Sequence, residues 1–240
     1  VYLFCDEYTN HYDVEIGKKS IILLNTLGYH VLMTAHSESA RAYISKGFLK
    51  QAKAIATANI KTFYALINTT TPLLGIEPSA ILGFRDEYPN LVDPVLKPKA
   101  ENLAQNVFTI EEFLAHEMKA NTIDVSKFTS ASKTIYYHGH CHQKALSSNS
   151  YALTTLAIPA NFTVQTIDAG CCGMAGSFGY EKEHYELSQQ IGEDRLFPAL
   201  RAVDSSALVA ASGTSCRHQI KDGLNKIALH PIEVLYNALN

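Results

Sequence analysis

The stretch TIYYHGHCHQKALSSNSYALTTLAIPANFTVQTI, residues Thr134–Ile167, decides the fold class. It opens on Thr134–His138, a β-branched and aromatic run suited to a strand. Gln143–Leu156 follows with a helical pattern, and Phe162–Ile167 returns to strand character. Strands alternating with helices of about ten or more residues imply parallel pairing with the helices packed on the faces. The same alternation continues on the C-terminal side. Glu181–Arg201 predicts a long helix, Ala207–Ala211 a strand, and Ser215–Gly223 and Pro231–Leu239 two further helices. The N-terminal half repeats the grammar. Val1–Phe4 predicts a strand, Val14–Leu27 a helix stopped by Gly28, and Tyr29–Met33 a short strand. Gly47–Asn68 predicts a long helix, Pro72–Ile76 a strand, and Glu77-Pro78-Ser79 a turn that opens a helix. Thr109–Met118 predicts a helix with Thr109 as N-cap and Glu112 completing a capping box. The expected fold is α/β: two tandem pseudo-symmetric repeats, each a small parallel sheet flanked by helices. The polar stretch Asn121–Lys133 sets their boundary, giving residues 1–128 and 129–240.

Composition supports a packed globular chain. Of 240 residues, 47% are apolar and 18% charged, with no Trp. A net charge of −3 predicts no strong attraction to nucleic acid or to an anionic membrane surface. No apolar run approaches the ~20 residues of a transmembrane segment. The chain begins on Val1 inside an apolar run and without a signal-peptide pattern, which suggests a piece of a longer polypeptide.

The five cysteines point to the chemistry. Cys5 stands alone and reads as a small buried apolar residue. Cys141, Cys171, Cys172 and Cys216 each follow a predicted strand. In a parallel sheet those strand ends share one edge, and ligands bind there. Helix N-termini at that edge favour thiolates, which are soft ligands for iron–sulfur clusters, zinc or copper(I). The vicinal pair Cys171-Cys172, followed by Gly173, needs a backbone turn that lets a bulky ligand approach. A strained vicinal disulfide doing thiol–disulfide exchange is a further reading of that pair. His138, His140 and His142 surround Cys141, and His218 follows Cys216. Each is a ligand, a proton carrier, a donor to sulfur or an ordinary hydrogen-bonded loop histidine. His142 and His218 are favoured among them because each lies one or two residues past a cysteine. No G-x-G-x-x-G dinucleotide pattern follows a strand.

Three motifs carry a family resemblance. They are Tyr137-His138-Gly139-His140-Cys141-His142-Gln143-Lys144, Cys171-Cys172-Gly173 running on to Tyr180-Glu181, and Gly213-Thr214-Ser215-Cys216-Arg217-His218-Gln219. Together they resemble the cysteine-rich CCG domain found in heterodisulfide reductase and in the iron–sulfur subunits of glycolate oxidase. The likeness is greatest to the C-terminal domain of FAD-linked D-lactate dehydrogenase-like oxidases. It extends into the first half through Ser45-Lys46-Gly47, Gly75-Ile76-Glu77-Pro78-Ser79 and Phe84-Arg85-Asp86-Glu87-Tyr88-Pro89.

The resemblance implies two repeats, each able to carry a cluster or metal, with three departures here. Glu38-Ser39 stand at the vicinal-cysteine position of the first repeat, Ala80 at its later cysteine, and Gly213 at the first cysteine of a CxxC pair. The second repeat keeps four thiolates, Cys141, Cys171, Cys172 and Cys216. These suffice for a [4Fe–4S]-type cluster or a tetrahedral zinc, with His140, His142, His218 and Gly173 around them. The non-cubane cluster of heterodisulfide reductase uses five ligands. In the vacated first repeat, Arg41, Glu77, Ser79 and Arg85 form either a site for a substrate carboxylate or partner acidic group, or a structural ion-pair network.

The function implied is electron transfer within a flavin-linked 2-hydroxy-acid dehydrogenase. FAD and a ferredoxin-like module would lie upstream, and a quinone or similar molecule would accept the electrons. The alternative is a zinc-binding docking domain of the same enzyme. The implied location is cytoplasmic, at the inner membrane where the parent enzyme is peripheral to it.

Overall fold

The computed structural model describes residues Val1–Asn240. The chain is α/β and divides into two compact units, Val1–Phe113 and Leu114–Asn240. The polar stretch at which the sequence places the repeat boundary belongs to the second unit. Its end is tied there by an antiparallel bridge between Phe128 and Leu239 and by a bond from Asn240 N–H to the Lys127 carbonyl (2.9 Å).

The first unit runs β1 (Tyr2–Phe4), α1 (Glu7–His11), α2 (Val14–Thr26), α3 (Arg41–Ser45), α4 (Leu49–Phe63), β2 (Leu73–Gly75), α5 (Pro78–Ile81), α6 (Glu87–Leu91), α7 (Lys97–Ala104) and β3 (Val107–Thr109), and reaches the start of α8 (Ile110–Lys119). Its sheet is parallel in the order β1-β2-β3. Phe4, Phe63, Phe84 and Tyr88 form an edge-to-face and tilted aromatic cluster within its core. Such stacking adds to plain area burial. The expected strand Tyr29–Met33 is reduced to one parallel bridge, Tyr2 with Leu32, on the free side of β1. None of its residues is buried, so no side-chain packing extends the pairing into a ladder.

The second unit continues with β4 (Lys133–His138), α9 (Cys141–Leu146), α10 (Asn149–Leu156), β5 (Phe162–Thr166), α11 (Tyr185–Asp194), α12 (Leu196–Arg201), β6 (Leu208–Ala211), α13 (Thr214–Leu224), β7 (Ala228–Leu229) and α14 (Pro231–Tyr236). Its four strands are all parallel, in the order β5-β4-β6-β7. With Leu32 counted as a second strand, the first unit has the same order.

Two expected helices are broken. Ser148 accepts a bond from Ser150 N–H and starts α10 anew, which splits the expected Gln143–Leu156. Pro198 has no N–H and its ring excludes a helical bond to the turn before it, so the expected Glu181–Arg201 divides at Arg195.

The sheet of the second unit is covered on both faces, which explains why β4 and β6 are rich in apolar residues. Ile135, Tyr137 and Ala210 face Ala152, Leu156 and Val234. Tyr136, Val209 and Ala211 face Leu196, Phe197, Leu200 and Ile220. Successive residues of one strand thus serve opposite cores. This two-sided packing holds the C-terminal ends of β4 and β6 side by side, with His138 in register with Ala211.

Candidate metal centre

The sheet order reverses between β4 and β6, because the connection from β4 runs outward to β5 before the chain returns to β6. A crevice opens at such a switch point, beyond the carboxyl ends of the strands. All four cysteines of the second half lie there. Cys141 begins α9 directly after β4 and is exposed, whereas Cys216 sits in the first turn of α13 after β6 and is 2% exposed. Cys171 and Cys172 lie in the loop after β5; Cys171 is half-buried and Cys172 3% exposed. All five cysteines of the chain are free thiols.

The loop after β5 is built for this position. Gly173 takes φ +100°, and a Cβ there would stand 2.2 Å from the Ser188 carbonyl oxygen. Ala175 and Gly176 also have positive φ, at 40° and 69°. The resulting tight turn lets Gly173 N–H donate to Cys171 Sγ at 3.3 Å. Gln219 of α13 fastens the turn from outside, donating to both the carbonyl and the hydroxyl of Ser188 at 3.0 Å.

The sulfurs form a row in which Cys141 bonds Cys171, Cys171 bonds Cys172, and Cys172 lies 3.5 Å from Cys216. Their acidities alternate along it. Cys171 is held well below the usual thiol range by the hydrogen bond from Cys141, then by that from Cys172, with Gly173 and Ala175 N–H adding to the effect against burial. Cys216 is likewise held down, first by Cys172, with the His138 and His140 rings adding to the pull against burial. Cys141 and Cys172 are pushed up because each serves as the protonated partner. Sulfurs this close together, two of them held down, are a donor set suited to a soft cation.

His138, the last residue of β4, is 1% exposed, and neither of its ring nitrogens has a hydrogen-bond partner of ordinary geometry. Its ligating atom and those of Cys172 and Cys216 all lie within 4.8 Å of one another. His138 is the site residue that sequence spacing undervalues. It precedes the nearest cysteine, whereas spacing favours histidines that follow one. The strand pattern held the missing signal, since a polar residue closes a run destined for two-sided burial.

The other expected residues fall as follows. His140 is buried and caps α9, its Nδ1 accepting from His142 N–H at 3.2 Å. His142 is half-buried and stacks on His140 with ring centroids 5.6 Å apart. His218 Nδ1 is hydrogen-bonded to the Tyr180 hydroxyl at 2.8 Å.

In the first unit, Arg41 is buried and paired with Glu87, and Arg85 donates to Glu112 (2.9 Å) and to the Val107 carbonyl. Glu77 caps α5, accepting from Ser79 N–H at 3.1 Å and from its hydroxyl at 2.7 Å. Ser39, at the expected vicinal-cysteine position, is buried and bonded through N–H and hydroxyl to Glu7, both at 2.7 Å. The half-buried Cys5 donates its N–H to His36 Nε2 at 3.3 Å.

No protein-family model matches the chain. It is 27% identical over 232 residues to D-2-hydroxyglutarate dehydrogenase of Escherichia coli (strain K12), a match covering 96% of the chain and 22% of that protein. It is 25% identical over 237 residues to a subunit of the anaerobic glycerol-3-phosphate dehydrogenase of the same strain, covering 97% of the chain and 57% of that subunit. It is also 25% identical over 229 residues to lactate utilization protein A of Exiguobacterium sp. (strain ATCC BAA-1283 / AT1b), covering 93% of the chain and 89% of that protein. The chain therefore spans about a fifth of the D-2-hydroxyglutarate dehydrogenases it matches, 22% and 23% in two of them. These similarities run the length of the chain and bear out the resemblance drawn from the cysteine motifs, which pointed to hydroxy-acid dehydrogenases. No helix is long and apolar enough to cross a membrane.

Proposed function

We propose that the second unit carries an iron–sulfur centre on Cys141, Cys171, Cys172 and Cys216, and that the chain is the electron-transfer domain of a flavin-linked 2-hydroxy-acid dehydrogenase. The observation that carries this reading is the row of four sulfurs, each beside the next, at one sheet edge. Buried at the Cys216 end and exposed at the Cys141 end, the row suits a centre that exchanges electrons with a partner. A cluster bound there accepts and releases electrons singly at a potential tuned by its surroundings.

The chain's own residues would set those surroundings. The N–H of Gly173 donates to Cys171 sulfur and stabilises its negative charge. Apolar residues Met174, Ile167 and Ile220 share the core of Cys172 and Cys216 and keep water from them. The names of the relatives support hydroxy-acid or polyol-phosphate dehydrogenation as the parent activity. On this reading FAD and the ferredoxin-like module belong to other parts of the same enzyme, the acceptor is a quinone or similar molecule, and the assembly is cytoplasmic and peripheral to the inner membrane. The ion pairs of Arg41 and Arg85 favour a structural network in the first unit over a carboxylate-binding site.

A second reading is a structural zinc site. It is favoured by the compactness of His138, Cys172 and Cys216. Metal analysis of protein purified without oxygen separates the two. Iron and acid-labile sulfide in comparable amounts are expected. Stoichiometric zinc without iron would overturn the electron-transfer reading.

A further inference from the structure

We propose that His138 is itself a ligand of this centre, binding through a ring nitrogen beside Cys172 and Cys216, so that the donor set is mixed nitrogen and sulfur. The proposal rests on reading the site as a metal centre.

Burial supplies the first argument. An unpaired buried polar atom is costly, and both ring nitrogens of His138 are buried without a hydrogen-bond partner of ordinary geometry. Neutral imidazole ligates through one nitrogen, which satisfies one of the two and leaves the other as an N–H donor. Distance supplies the second. Two sulfurs bound tetrahedrally to one ion at about 2.3 Å stand roughly 3.8 Å apart. Cys172 and Cys216 are 3.5 Å apart, and the His138 nitrogen lies within 4.8 Å of both. These three donors are close enough together to serve one metal centre.

The neighbouring histidines do not belong to the compact group of His138, Cys172 and Cys216. His140 uses Nδ1 to accept from His142 N–H, so in the neutral ring its proton sits on Nε2 and that nitrogen has no lone pair to give. His218 has Nδ1 on Tyr180. His142 stands outside the compact group. The position of His138 is also rigid, because the end of β4 is held in register against β6. A ligand on such a strand end is better oriented than one on a loop. Chemically, a neutral imidazole ligand brings no negative charge to the centre, so the iron it binds has a higher reduction potential than one bound by thiolate alone.

Two measurements on the whole chain test this. In the first, iron-free protein is titrated anaerobically with Co²⁺, for the wild type and His138→Ala. Loss of even an outer partner of a metal site costs ~10–100-fold in affinity, so loss of a ligand is expected to weaken Co²⁺ binding at least ~10-fold. The visible ligand-field bands should shift while the sulfur-to-cobalt charge-transfer band stays. Unchanged affinity and spectrum in His138→Ala would overturn the proposal and leave the metal reading intact. No Co²⁺ binding by the wild type would overturn both. The second measurement needs no variant. Wild-type protein labelled with ¹⁵N-histidine is reconstituted with iron and sulfide, reduced, and studied by pulsed electron paramagnetic resonance. A strong, directly bound nitrogen coupling that changes with the label is expected. Only weak couplings would overturn the proposal.

Discussion

At the scale of single residues, the donor loops depend on two glycines for different reasons. Gly173 is required by its backbone conformation and by the carbonyl it faces. Gly213 has ordinary extended backbone, with φ −76° and ψ 133°, so its requirement is spatial. A Cβ there would lie 2.2 Å from His140 Cδ2 and 3.0 Å from Nε2. The imidazole cannot easily turn aside, because it accepts the His142 N–H and stacks on the His142 ring. The position where the resemblance places a further cysteine is therefore closed by a histidine. Gly213→Ala is expected to lower stability by about 1–3 kcal/mol, as overpacking does. In a His140→Ala background most of that loss should vanish. A urea-unfolding cycle over the four proteins measures the coupling. Additivity within about 0.3–0.5 kcal/mol would refute the contact.

Among elements, α1 shows how the first unit uses the strand end that the second unit gives to cysteine. Asp6 follows β1, is fully buried, and caps α1 by accepting from Tyr8 and Thr9 N–H at 2.9 and 3.0 Å. Burial pushes its carboxyl up to about 7, against the Thr9 bond and reinforced by the charges of Glu77 and Glu7. The unfolded value is about 3.9, so the folded state holds the proton more tightly. Its contribution to stability is thus fully present below about pH 4 and is lost as pH rises toward about 7, with a slope of at most roughly 1.4 kcal/mol per pH unit. Asp6→Asn keeps the capping oxygen and removes the titration. The stability of the wild type relative to this variant should fall from pH 5 to pH 7 in denaturant unfolding. A difference that stays flat across that range would contradict the assignment.

For the whole molecule, the two units have separate sheets, and all four candidate thiols belong to the second. A metal held at about 1,000 times its dissociation constant adds about 4 kcal/mol to whatever folds around it. Loading the chain with metal should therefore slow amide hydrogen exchange in β4, β5, β6 and β7 and leave β1, β2 and β3 near their metal-free rates. Equal slowing in both sheets would mean that the centre is not a property of the second unit alone. The partial match to long dehydrogenases fits a modular design, in which a domain of this kind recurs within larger proteins and nearly whole in shorter ones.

The α/β class was legible in the sequence, because alternating strand and helix patterns are local. So was the placing of Cys141, Cys171-Cys172 and Cys216 after successive strands, since each depends only on its own strand ending where the apolar run ends. Breaks such as that at Arg195, and the shrinking of Tyr29–Met33 to a single bridge, were less visible. They depend on a proline acting one turn away and on whether neighbouring side chains find a core to enter. The partners of each sulfur were decided by tertiary structure alone. Strand order is a non-local choice among packings, and only the placing of β4 between β5 and β6 brings Cys172 against Cys216 and leaves His138 buried beside them. A histidine at a strand end has no distinguishing spacing in sequence. What singles it out is that, once packed, it is buried with a ring nitrogen close to two sulfurs.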